Sequence, residues 1–144
     1  MANEIDQELV NRPWTVLLVE DDAKVRRWIH GELERLRYNL LEASDGADAL
    51  VIAELHSGPI DIVVTDVVMP RVNGPELVKA LLTLRPDAKM LYISGYPETF
   101  LRTSTGLPND DNYLQKPFDM STLVARIKKL LDPRWRAGHK MLPP

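Results

Sequence analysis

With 144 residues, 44% of them apolar and 27% charged, the chain has room for one ordinary domain with its own core, and its composition excludes a wholly disordered or fibrous polymer. It contains no cysteine, so disulfides, thiol catalysis and thiolate metal sites are excluded. A net charge of −3 and a pI near 5.6 give no general pull toward nucleic acid or anionic lipid.

The amino-terminal MANEIDQELVNRPW is acidic and lacks an apolar h-region, so no secretory signal is expected there. No apolar run approaches the roughly 20 residues that cross a bilayer. A cytoplasmic protein without membrane or direct nucleic-acid contacts is therefore expected. Residues 1–13 read as an extension, 14–131 as the domain and 132–144 as a tail.

Thr15–Val19 (TVLLV) is a continuous apolar run, as in a strand buried on both faces of a parallel sheet. Val25, Trp28, Ile29, Leu33 and Leu36 then fall three or four apart and predict a helix, with Trp28 assigned to its core face. Asn39–Ala43 (NLLEA) is a second, less apolar strand. A second helix follows Ser44-Asp45-Gly46, runs to about Leu55 and is closed by Ser57-Gly58-Pro59.

Ile60–Thr65 (IDIVVT) is the third strand, and Gly74-Pro75 opens a helix carrying Leu77, Ala80, Leu81 and Leu84. Lys89–Ile93 is the fourth strand and Asn112–Gln115 a short fifth. Between these two, Pro97–Arg102 has room for only a short or irregular fourth helix before the loop TSTGLPNDDN. A last helix carries Leu123, Ile127, Leu130 and Leu131, with Asp119 or Ser121 as its cap. This βα alternation predicts an α/β fold in which a doubly wound, five-stranded parallel sheet carries helices on both faces.

In such a sheet, ligands gather outside the carboxyl ends of the strands, where strand order reverses. The residues at those ends are Glu20, Asp21 and Asp22, then Asp66, then Ser94-Gly95, then Lys116-Pro117. If the first and third strands are neighbours, Glu20, Asp21 and Asp66 converge. Carboxylates crowded in this way repel one another, and a hard divalent cation such as Mg²⁺ relieves that repulsion. A lysine and a hydroxyl opposite would face an anionic group carried on one of the carboxylates, as phosphoryl transfer requires.

The set VLLVEDD, VVTDVVMP, LYISGY and YLQKPF, in this order and each at a strand end, resembles the receiver domain of two-component response regulators over about Trp14–Leu131. The resemblance implies the flavodoxin-like strand order 2-1-3-4-5. It also implies Asp66 as the phosphorylated residue, and Glu20, Asp21, Asp66 and the backbone carbonyl of Val68 as the Mg²⁺ site. Ser94 and Lys116 match the positions that contact the phosphoryl group, Ser94 and Tyr113 the switch positions, and Lys116-Pro117 the cis peptide. The implied partner is a histidine kinase or histidine phosphotransfer protein, and the chain is expected as a monomer or weak dimer.

Bland readings hold elsewhere. Asp22 is a helix-capping acid, and His30, His56 and His139 are surface histidines that share no site spacing. The basic stretch Arg134–Lys140 reads as a tail.

Other functions fit less well. An aspartyl-phosphate phosphatase would carry a general acid two residues after its nucleophile, where Val68 stands. A flavin or nucleotide site would need an N–H-rich loop where EDDAK stands. A degenerate scaffold would lack site positions that this chain retains. Only 13 residues follow Leu131, too few for an effector domain, so a stand-alone receiver or the receiver fragment of a hybrid histidine kinase is expected. Neither Val68 nor Tyr96 offers a carboxylate or amide to orient a hydrolytic water, so a long-lived phosphoryl state is expected, with limited self-catalysed turnover rather than enzyme activity.

Overall fold

Apolar runs with β-branched residues become the central strands, and the computed structural model, which describes residues 13–66, 74–97 and 112–132, joins them into one sheet. In chain order the elements are β1 (Thr15–Val19), α1 (Ala23–Arg35), β2 (Asn39–Ala43), α2 (Gly46–Leu55), β3 (Ile62–Asp66), α3 (Gly74–Leu84), β4 (Lys89–Ser94), β5 (Tyr113–Gln115) and α4 (Met120–Leu131). All pairings are parallel and the strand order is β2-β1-β3-β4-β5. Leu17 sits between Leu41 and Val63 in this register. β1 is thus the strand from which the chain winds outward in both directions.

The alternation of side chains along each strand divides the core in two. Leu17, Val19, Val63, Met90, Tyr92 and Tyr113 face one way and pack with Ala49, Ala53, Leu77 and Leu81 of α2 and α3. Val16, Leu18, Ile62, Val64, Leu91, Ile93 and Leu114 face the other way and pack with Ile29, Leu33, Leu123 and Ile127 of α1 and α4. The expected β3 began at Ile60 and stopped at Thr65, but the observed strand is shifted toward Asp66. Asp61 stands just ahead of it as an anchor: its N–H donates to the Thr15 carbonyl at 2.9 Å, its carbonyl accepts the Lys89 N–H at 2.9 Å, and its carboxylate Oδ2 accepts the N–H of Thr15 at 2.8 Å. Similarly, Ser94 is the last residue of β4 rather than the first beyond it, and β5 starts at Tyr113.

Caps set the ends of the helices. Asp22 caps α1, its Oδ1 accepting the N–H groups of Lys24 at 2.9 Å and Val25 at 3.3 Å, and Asp45 caps α2 through the N–H of Asp48 at 2.8 Å. Asp119 occupies the cap position of α4 without a side-chain cap bond. At its far end α1 closes with a Schellman pattern, Arg37 N–H to Glu34 C=O and Tyr38 N–H to Leu33 C=O, which places Arg37 at φ 72°.

Trp28 departs from its sequence assignment, being 48% exposed rather than core. On a helix that turns about 100° per residue, Val25, Ile29, Leu33 and Leu36 form one stripe and Trp28 lies a full step off it. Its ring stacks instead on Phe118, with centroids 5.7 Å apart and planes at 19°. His30 is likewise not a free surface residue. It lies between Glu34 and Glu42, its Nε2 3.3 Å from Glu34 Oε1 and its Nδ1 against Glu42 Oε2. The segment expected as the fourth helix beyond Pro97, the carbonyl of Val68, the basic stretch from Arg134 and residues 1–12 lie outside the described residues. Among the described residues, no helix is long and apolar enough to cross a membrane.

Candidate functional site

Period-2 alternation explains why three distant residues meet. Positions 16 and 18 of β1, 62 and 64 of β3, and 114 of β5 all point to the α1/α4 side of the sheet. Glu20, Asp66 and Lys116 continue those same alternating positions at the carboxyl ends of the strands. Their contacts follow: Lys116 Nζ donates to Glu20 Oε1 at 3.1 Å and to Asp66 Oδ2 at 3.0 Å. The lysine is carried by the β4–β5 ladder, since its own N–H donates to the carbonyl of Ser94 at 2.7 Å. The Lys116–Pro117 bond is cis.

Glu20 is wholly buried, and each part of it is held. Its N–H donates to the Ala43 carbonyl at 3.1 Å, and its Oε2 accepts the N–H of Asp22 at 3.1 Å. Burial pushes its carboxyl up from the ordinary value and the charge of Asp66 adds to this, while the Asp22 N–H and the Lys116 ammonium pull the other way. Burial also works against the Lys116 ammonium, but the hydrogen bonds and charges of Asp66 and Glu20 outweigh it and hold the group above its ordinary value. Asp22, by contrast, is held below the usual carboxylate range by the N–H groups of Val25 and Lys24, as a capping acid should be.

Asp21 is exposed beside this buried pair, and one carboxylate oxygen from each of Glu20, Asp21 and Asp66 lies within 4.8 Å of the others. Two buried acids and one open acid, all with hard oxygen donors, fit a divalent cation such as Mg²⁺ that keeps part of its water shell. Lys116 sets a positive charge beside the buried pair, 3.1 Å from Glu20 Oε1 and 3.0 Å from Asp66 Oδ2.

Ser94 and Tyr113 take the opposite face, in line with Met90 and Tyr92 on β4. Ser94 is fully buried and its Oγ accepts the N–H of Tyr96 at 3.0 Å. The Tyr113 hydroxyl donates to the carbonyl of that same Tyr96, and the carbonyl of Tyr113 accepts from Arg126 of α4. The sequence-predicted residues therefore fall into two groups: an ionic cluster of Glu20, Asp21, Asp66 and Lys116, and a hydroxyl group pair, Ser94 and Tyr113, bridged through Tyr96. Sequence reasoning did not single out Arg26, whose Nη1 donates to the Glu20 carbonyl at 2.7 Å. Its place six residues after Glu20, on the first turns of α1, was the available signal.

Comparison with known proteins gives a consistent result. The profile of the response regulator receiver domain matches residues 16–128. Sensor kinase CckA of Brucella abortus is 39% identical over 118 residues, which is 82% of this chain but 12% of that protein. Response regulator receiver protein CpdR of the same organism is 34% identical over 116 residues, 81% of this chain and 95% of that protein. Among solved structures, the receiver domain of hybrid histidine kinase CckA superposes with a TM-score of 0.68 at 37% identity, covering 82% of this chain and 99% of that one. A response regulator receiver protein from Sinorhizobium medicae WSM419 gives a TM-score of 0.73 at 27% identity, covering 85% and 98%.

Proposed function

Since the chain belongs to the response regulator receiver family, we propose that it accepts a phosphoryl group on Asp66 from a histidine kinase or histidine phosphotransfer protein. The observation that carries this reading is the Lys116 ammonium, bound at 3.0 Å to Asp66 Oδ2 within a three-carboxylate cluster. An oxygen of the Asp66 carboxylate forms the new bond to phosphorus as the donor's phosphorus–nitrogen bond breaks, and the released imidazole takes up a proton. Glu20, Asp21 and Asp66, with the Val68 carbonyl, would hold Mg²⁺. When bound, the cation supplies charge neutralisation to the transferring group. Lys116, 3.0 Å from Asp66 Oδ2, would follow the new phosphoryl oxygens, and the Ser94 hydroxyl, if it left the Tyr96 N–H, would add a further contact. Tyr113, tied to the Tyr96 carbonyl, would carry that change toward α4.

Similarity to both a sensor kinase and a receiver protein supports a place in a phosphorelay, with output through protein contacts. The test is incubation with acetyl phosphate and Mg²⁺, followed by mass mapping of a base-labile phosphoryl group. Labelling should need Mg²⁺ and disappear in Asp66→Asn. Undiminished labelling of that variant overturns the assignment.

A further inference from the structure

Arg26 lies outside the ionic cluster and touches none of its carboxylates in the described contacts, yet it holds the backbone that presents them. Its Nη1 donates at 2.7 Å to the carbonyl of Glu20, the oxygen of the peptide that joins Glu20 to Asp21. That peptide plane is what sets the direction in which Asp21 leaves the loop. Glu20 is locked by burial and by its own hydrogen bonds, whereas Asp21 is exposed and has no comparable enclosure. Fixing the Glu20 carbonyl therefore acts chiefly on Asp21.

The arginine is itself braced. Its Nε is 3.4 Å from Glu42 Oε1, and the other oxygen of Glu42 lies against His30 Nδ1. Glu42 precedes Ala43, whose carbonyl receives the Glu20 N–H. The β2 end thus grips the Glu20 backbone on both sides, directly through Ala43 and indirectly through Glu42 and Arg26. Only a planar guanidinium can reach a carbonyl with one nitrogen and a carboxylate with another while keeping a fixed angle between them.

We infer that Arg26, braced by Glu42, is a positioning residue that pre-orients the Glu20–Asp21 peptide so that Asp21 faces the cation site. The inference rests on the proposed Mg²⁺ site and adds a residue to it. A group that orients a ligand through its backbone should matter less than one bonded to the ligand side chain, for which losses of roughly 10–100-fold in metal affinity are typical. A loss of roughly three- to tenfold is expected for Arg26→Ala.

Mn²⁺ serves as the probe, with free ion counted by electron paramagnetic resonance and no phosphodonor present. The Kd should rise about three- to tenfold in Arg26→Ala, less in Arg26→Lys, which keeps the charge and a donor but not the fork, and less in Glu42→Gln, which loosens the brace. A purely structural role would instead lower the metal-free melting temperature and leave the Kd unchanged, and that result overturns the inference. If Arg26→Ala fails to fold, Arg26→Lys and Glu42→Gln carry the same comparison, and wild-type Kd in both overturns it. Failure of the underlying reading looks different: the wild type itself would bind no Mn²⁺, or would bind it equally well in Asp66→Asn combined with Asp21→Asn.

Discussion

Glu20 is enclosed by protein and shares its surroundings with two other acids, so its charged form works against both desolvation and repulsion. Its folded pKa is raised, so the protonated form is favoured by folding. The associated stability is full below the ordinary value of 4.5 and is lost as pH rises through the raised one. Without metal, Glu20→Gln should therefore melt above the wild type at neutral pH, with the gap closing as pH falls below about 4.5. Mg²⁺ should reverse the order, because the variant lacks a charged ligand. Melting curves with chelator and with Mg²⁺ across this pH range check both signs. Tyr96 is largely exposed and its backbone, not its ring, engages Ser94 and Tyr113. If the acyl phosphate persists because no side chain orients water, Val68→Asn should shorten its half-life, and an unchanged decay rate would refute that explanation.

Between elements, two contacts account for features that no periodicity could announce. Arg85, just past α3, donates through Nε to the Ala53 carbonyl at 2.9 Å, through Nη1 to Gly58 at 2.8 Å and through Nη2 to His56, closing the carboxyl end of α2 from a neighbouring helix. Arg85→Ala should cost roughly 2 kcal/mol, as charged hydrogen bonds are lost and carbonyls left bare, read as a lower urea midpoint. Arg37 holds a left-handed conformation that glycine adopts freely, so Arg37→Gly should add about 1 kcal/mol or less of stability, read as a higher urea midpoint. The Trp28–Phe118 stack joins α1 to the segment leading into α4. Phe118→Ala should cost about 1 kcal/mol beyond its area and redden the Trp28 emission as the indole meets water.

The parts legible in the sequence were those written in local pattern. Apolar runs gave β1 and β4, spaced leucines gave α3 and α4, and acids at the ends of apolar runs gave Glu20, Asp21 and Asp66. Arg26 and Arg85 were not legible, because an arginine on a helix surface looks the same whether it meets water or a carbonyl many residues away. Trp28 misled because its spacing from Val25 fits a helix face, although its angle on the wheel does not.

At the level of the whole molecule, the sheet separates two faces with different contents. One side of the strand ends carries the charges and the other the hydroxyls of Ser94 and Tyr113, with the packed layers of α1/α4 and α2/α3 beneath them. Leu33→Ala, in the α1/α4 layer, should cost about 2–5 kcal/mol without altering the geometry of the distant hydroxyls. The alternation that sorts these faces also makes chain length a chemical variable. One uncharged residue inserted between Ile62 and Asp66 would send the carboxylate through the sheet to the hydroxyl side, out of reach of Lys116, while leaving net charge untouched. An equal insertion among residues 56–59, ahead of the Asp61 anchor, would disturb the Arg85 contacts to the His56 and Gly58 carbonyls but leave the alternation of β3 unchanged. Library insertions scored for labelling should therefore divide at Asp61: tolerated before it, silent after it, so that the odd and even numbering of five short strands acts as a reading frame for reactivity.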